Sequence, residues 1–152
     1  MGEPQIARPR AVATWGPAPA VLARVRGEHV IVAEPPKPLG GTGVPTPIEY
    51  TIAALAACVA ALTRRVSRER GLRIESVEVE VEAKVDLREL RGEVPRRERK
   101  GIHDVSVVAR LRLSEGESIE RAREAVEEAL SRCPIANALR QVREVSLSVG
   151  EA

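Results

Sequence analysis

Aromatic side chains are almost missing from this chain of 152 residues: phenylalanine is absent, and tryptophan and tyrosine occur once each. The core must therefore be filled by aliphatic side chains. The same shortage argues against single-stranded nucleic acid, which binds by stacking its bases on aromatic rings. The densest basic stretch, 96–100, has no aromatic beside it and reads as a solvated loop. An excess of one charge is missing too. Against 24 basic residues stand 22 acidic ones, a net charge of +2, and the signs are interspersed, so a pI of 8.8 does not imply a nucleic-acid partner. No run long enough to span a membrane is expected, and no basic n-region leads into an apolar h-region. The expected location is cytoplasmic, where thiols stay reduced.

Metal ligands are equally scarce. The two histidines, His29 and His103, fall on expected strands, on faces read as exposed. Two cysteines 75 positions apart form neither a CxxC motif nor a zinc set. No nucleophile elbow, P-loop or dinucleotide fingerprint occurs. No metal and no cofactor are expected. The bias toward Arg, Glu, Val and Pro is one that thermophilic proteins share.

What is present is strong patterning. Residues 10–33 read as a β-hairpin region, with strands at 10–15, 20–25 and 29–32 separated by turns at 16–19 and 27–28. Residues 34–47 hold five prolines and three glycines, which excludes a helix or a central strand. A helix then spans 48–70. Thr46 is its N-cap, Pro47 its first residue, and Glu49 completes a capping box. Ile48, Ile52, Leu55, Val59, Leu62 and Val66 form one apolar stripe. Alanines fill the other faces between 53 and 61, so this part is expected to be covered on all sides, and Gly71 ends the helix.

Residues 74–149 read as β-β-α-α-β. Val77, Val79, Val81 and Val85 alternate with Glu78, Glu80, Glu82 and Lys84 on a long strand with one wet face. Residues 88–101 read as a charged loop. A second long strand, 102–113, sets Val105, Val107, Ala109, Leu111 and Leu113 against His103, Ser106, Val108, Arg110 and Arg112. A helix at 117–131 turns Ile119, Ala122, Val126, Ala129 and Leu130 inward, with Ser118 or Ser114 as cap. A short helix at 134–142 and a strand at 145–149 follow. Long half-wet strands with two principal helices make a single α+β domain over 1–152.

The two sulfurs are the candidate chemistry. Cys58 stands in a helix that uses alanine at every comparable position. Cys133 precedes Pro134, so it would cap a new helix, where free amides favour a thiolate. Arg132 beside it could add to that effect. A redox couple, a structural bridge and inert core thiols all remain open readings of the pair.

Gly40-Gly41-Thr42-Gly43-Val44-Pro45-Thr46-Pro47-Ile48-Glu49-Tyr50, then Ala53-Ala54-Leu55-Ala56-Ala57-Cys58, resembles the signature of the osmotically-inducible-protein-C and organic-hydroperoxide-resistance (OsmC/Ohr) family. So does Cys133-Pro134-Ile135-Ala136-Asn137. The resemblance implies an OsmC-like fold of antiparallel sheets around a long buried central helix, intertwined as a homodimer with its sites at the dimer interface. It also implies a stress-response thiol peroxidase that reduces small organic hydroperoxides. Cys58 would attack the peroxide, Cys133 would resolve the product as a disulfide, and an external dithiol (lipoyl- or thioredoxin-like) would restore both thiols. Two departures point to the OsmC-like branch. The family's arginine in the turn after the first strand has no counterpart at 16–20, leaving Arg24 or Arg26 as possible substitutes. The family's glutamate ten residues before the cysteine is Ile48 here, and Glu49, nine before, falls on the opposite side of the helix from Cys58. The alternative is a non-enzymatic dimer that binds an apolar ligand or partner, its cysteines inert or bridged.

Overall fold

The computed structural model describes residues 6–140 and Val145. It divides into two compact units, Met1–Tyr50 and Thr51–Ala152. The expected strand at 145–149, Val145 apart, and the end of the helix at 134–142 lie outside the described residues.

The first unit is an antiparallel meander of β1 (Ala11–Trp15), β2 (Val21–Val25) and β3 (His29–Ala33). Ala13 pairs with Ala23, and Ala23 with Ile31. Arg26 and Gly27 turn β2 into β3 with φ of 52° and 77°. The Pro/Gly segment that follows contains a single 3-10 turn, Lys37–Leu39. It folds around a buried acid that sequence reasoning missed. Glu34 is 6% exposed, and its carboxylate accepts the Thr42 amide at 2.6 Å and the Thr42 hydroxyl at 2.8 Å. The amides of Thr42, Val44 and Gly43 hold its carboxyl below the usual range. Gly41 permits the tight wrap, because a Cβ there would lie 1.9 Å from the Pro35 carbonyl oxygen.

The wrapped segment delivers the chain to α1 (Pro47–Glu69). The capping box forms in both directions: the Glu49 amide donates to Thr46 Oγ1 at 3.2 Å, and the Thr46 amide donates to Glu49 Oε2 at 2.7 Å. Tyr50 Oη, donating to the Val32 carbonyl at 2.9 Å, ties the helix start to β3.

In the second unit β4 (Ile74–Lys84) pairs antiparallel with β5 (His103–Leu113), Val79 opposite Ala109 and Val81 opposite Val107. The valine faces turn inward and the Glu faces outward, as the alternation predicts. One irregularity had no sequence signal. Asp104 adopts φ 48° as an extra residue on β5 where Glu82 pairs with Ser106 and Lys84 with His103. The stretch read as a charged loop contains α2 (Leu87–Leu90) and a 3-10 turn at Arg96–Glu98. Asp86 caps α2 by accepting the Arg88 amide at 2.9 Å, and four residues are too few to show periodicity.

Two further helices, α3 (Ile119–Arg132) and α4 (Pro134–Arg140), follow among the described residues. Ser118 caps α3 through the Arg121 amide. Leu55 and Val59 of α1 pack with Cys133 and Ala136, against the valines of β4 and β5. Val66 packs with Leu72, Ala125 and Ala129. Gly71, at φ 65°, closes α1 by donating to the Arg68 carbonyl, with Leu72 returning to the Ser67 carbonyl at 2.8 Å.

Two expectations are corrected here. Ile119 is half exposed, because as the first residue of α3 it precedes the buried alanine stripe of Ala122, Ala125 and Ala129. By length and composition α1 is long and apolar enough to cross a membrane. Its alanines carry the average, although the Leu55–Val59–Val66 stripe is buried in the core. Within one chain Ala53, Ala54, Ala57 and Ala61 are exposed, the alanine face whose cover was expected from a second chain.

Candidate functional site

Helix α1 carries Cys58 one residue before the buried Val59, on the side that meets the end of α3. Cys58 is half-buried; Cys133 has no exposed surface. Both are free thiols, and their Sγ atoms lie 3.0 Å apart across 75 positions of sequence. The contact follows from how the chain breaks between α3 and α4. Pro134 has no amide to continue α3, so Cys133 ends one helix and begins the next. Its amide donates to the Leu130 carbonyl at 3.2 Å, its carbonyl accepts the Asn137 amide at 3.0 Å, and its Sγ accepts the Ala136 amide at 3.5 Å. This is the expected N-cap, made by a sulfur instead of an oxygen.

Burial, and next the bond and charge of Cys133, push the Cys58 thiol up to about 11, while the Ile135 amide pulls it down. Arg132 does not supply the cation that its position beside Cys133 suggested. Its guanidinium is bound to Glu69 at 2.7 Å and to Glu128.

Of the residues singled out from sequence, the structure brings Cys58 and Cys133 together. Arg24 and Arg26 are exposed and line a shallow groove of the first unit beside Arg10 and Val12. Glu49 is engaged in the capping box, which holds its carboxyl below the usual range. His103 was read as exposed but is half-buried, because the alternation of β5 runs unbroken through Asp104 and puts His103 on the face of Val105 and Val107. It lines a cavity of about 520 Å³ with Leu55, Val107, Leu130, Leu139 and Arg140. Among the described residues no group of His, Cys, Asp and Glu could hold a metal ion.

Comparison with known proteins places the fold. The family model described as OsmC-like protein matches residues 40–148. An OsmC-like protein from Mycoplasma pneumoniae superposes with a TM-score of 0.74 at 16% identity, covering 91% of each chain. An organic hydroperoxide resistance protein OsmC from Legionella pneumophila gives 0.67 at 24% identity, covering 90% of this chain and 92% of its own. The organic hydroperoxide resistance protein OhrB of Bacillus subtilis gives 0.55 at 23% identity, covering 88% and 91%. A search of curated proteins returns no match. The solved structures share the fold, and the family match spans more than half of the sequence: this chain belongs to the OsmC-like protein family.

Proposed function

We propose that this protein is a thiol-dependent peroxidase for small organic hydroperoxides, acting in the cytoplasm as a homodimer. The 3.0 Å approach of Cys58 to Cys133 carries the reading. Cys58, the thiol with exposed surface, attacks the peroxide. Its thiolate takes the distal oxygen, the O–O bond breaks, and one proton leaves with the alcohol, so that ROOH becomes ROH and Cys58 a sulfenic acid. The Cys133 thiol then attacks the Cys58 sulfur, water departs, and a disulfide forms. The bond needs about 2.05 Å between the sulfurs, so a shift of about 1 Å closes it. A dithiol reductant returns both thiols and leaves as its own disulfide. The exposed alanine face of α1 supports the dimer, since a partner would cover it.

Consumption of cumene hydroperoxide with dihydrolipoamide as reductant tests the reading. Wild type should turn over, and Cys58→Ser should reduce the rate to background. Cys133→Ser should leave Cys58 trappable as a sulfenic acid by dimedone after one equivalent of peroxide. No turnover in a folded wild type with intact thiols would end the proposal.

One observation favours a second reading. A thiol pushed up to about 11 is a poor nucleophile at neutral pH. A non-enzymatic module binding an apolar ligand, with its two thiols inert, would need no lower value.

A further inference from the structure

Between the end of α1 and the length of α3 runs an unbroken chain of alternating charge. Arg65 binds Glu69 at 2.9 Å, and Glu69 binds Arg132 at 2.7 Å. Arg132 also binds Glu128, and Glu128 is bound by Arg70, whose Nε lies 2.9 Å away. Arg70 reaches on to Glu124 at 3.3 Å. The chain passes back and forth between the two segments, and Glu128 and Arg70 are only 27% and 34% exposed. Isolated surface pairs contribute little, but a connected and partly buried network holds geometry.

Position gives this network its meaning. Arg132, its middle cation, is the residue before Cys133. Glu69, which it grips, lies on the helix that carries Cys58. The apolar contact beside the network is made on the α3 side by Ala125 and Ala129. Alanines present a smooth face there, so the ion pairs add to the register that Leu62, Leu130 and the core around Cys133 set by packing. Cys133 inherits that register through its backbone bonds to Leu130 and Asn137.

We propose that this alternating charge chain, with Arg132 at its centre, is a positioning device that holds Cys133 against Cys58 and thereby sets how readily their disulfide forms. The proposal rests on the reading that the two thiols form a disulfide in the working cycle. Holding the thiols together raises their effective concentration and favours the disulfide. Salt screens such a network, so the couple should weaken as ionic strength rises.

The test equilibrates wild type, Arg132→Gln, Arg132→Lys and Glu69→Gln in dithiol/disulfide buffers of graded potential, without peroxide, and counts free thiols. In Arg132→Gln the equilibrium constant for disulfide formation should fall about tenfold, a shift of about 30 mV toward easier reduction. Arg132→Lys should recover part of the loss. Raising salt to about 1 M should shift wild type in the same direction and leave Arg132→Gln nearly unmoved. If Arg132→Gln does not fold, the isosteric Glu69→Gln carries the test, with a smaller shift of the same sign. A folded variant whose potential and salt response equal those of wild type would overturn the positioning role while leaving the peroxidase reading intact. A wild type that forms no disulfide in any buffer overturns both.

Discussion

Cys58 sits where its proton is held. Below about pH 9, the ordinary thiol value, folded and unfolded chains both carry the proton, and the contribution of this group to stability is complete. As pH rises through about 11 the unfolded chain ionises first and that contribution is lost. Reactivity follows the opposite course, since the thiolate fraction grows with pH. Alkylation of Cys58 by iodoacetamide should therefore accelerate steeply above pH 9. Cys133→Ser should move that rise to lower pH by removing the charge of Cys133 and weakening the bond to it, leaving burial in place. An alkylation profile centred near pH 9 in wild type would contradict the described surroundings. At this scale the sequence was legible where one residue's own chemistry decided the outcome. Cys133 before a proline had to be a cap. It was not legible for Arg132, because neighbours in a helix point about 100° apart, and a guanidinium on a long stem turns to whichever carboxylates another element supplies. The spacings of Arg65 to Glu69 and of Glu128 to Arg132 were the available clue, for pairs four apart meet on a helix face.

Helices and strands announced themselves by period and by ends. The capping box at Thr46 and Glu49, the stripe through Leu55, Val59 and Val66, and the Val/Glu alternation of β4 all formed as the pattern required. What had no period was missed: α2, the extra residue at Asp104, and the burial of Glu34. The last of these governs how the chain enters α1. Substituting Gly41→Ala would drive a methyl group into the Pro35 carbonyl, at 1.9 Å before any relaxation. Backbone must then move, and the cost should be about 1–3 kcal/mol, the usual range for overpacking. Chemical denaturation reads this as a lower midpoint with an unchanged slope. A midpoint within experimental error of wild type would show that the wrap is soft. The free energy belongs to the loop and the helix entry, so the thiol count at equilibrium should not change.

For the molecule as a whole, the fold class could be inferred from strand length and helix number, and the family match agrees with it. The meeting of the sulfurs could not. It depends on the break between α3 and α4 landing on one turn of α1, an outcome of packing among Leu55, Val59, Ala136 and the valines of both strands. The exposed Ala53, Ala54, Ala57 and Ala61 were expected to be covered, and within one chain they are not. Periodicity reports that a face is apolar; it does not report which molecule covers it.

The distance along the chain between Cys58 and Cys133 has a mechanical consequence. A bond between them would draw a loop of 75 residues closed. Closing so long a loop removes freedom from the denatured chain equivalent to about 4.5 kcal/mol. For a chain of this size that corresponds to a melting point higher by roughly 10 °C or more. The oxidised and reduced proteins would then melt as two separate populations in one calorimetric scan, each peak's area counting its share. Heat would serve as a redox meter, and a single peak unmoved by dithiothreitol would mean that the bond never formed.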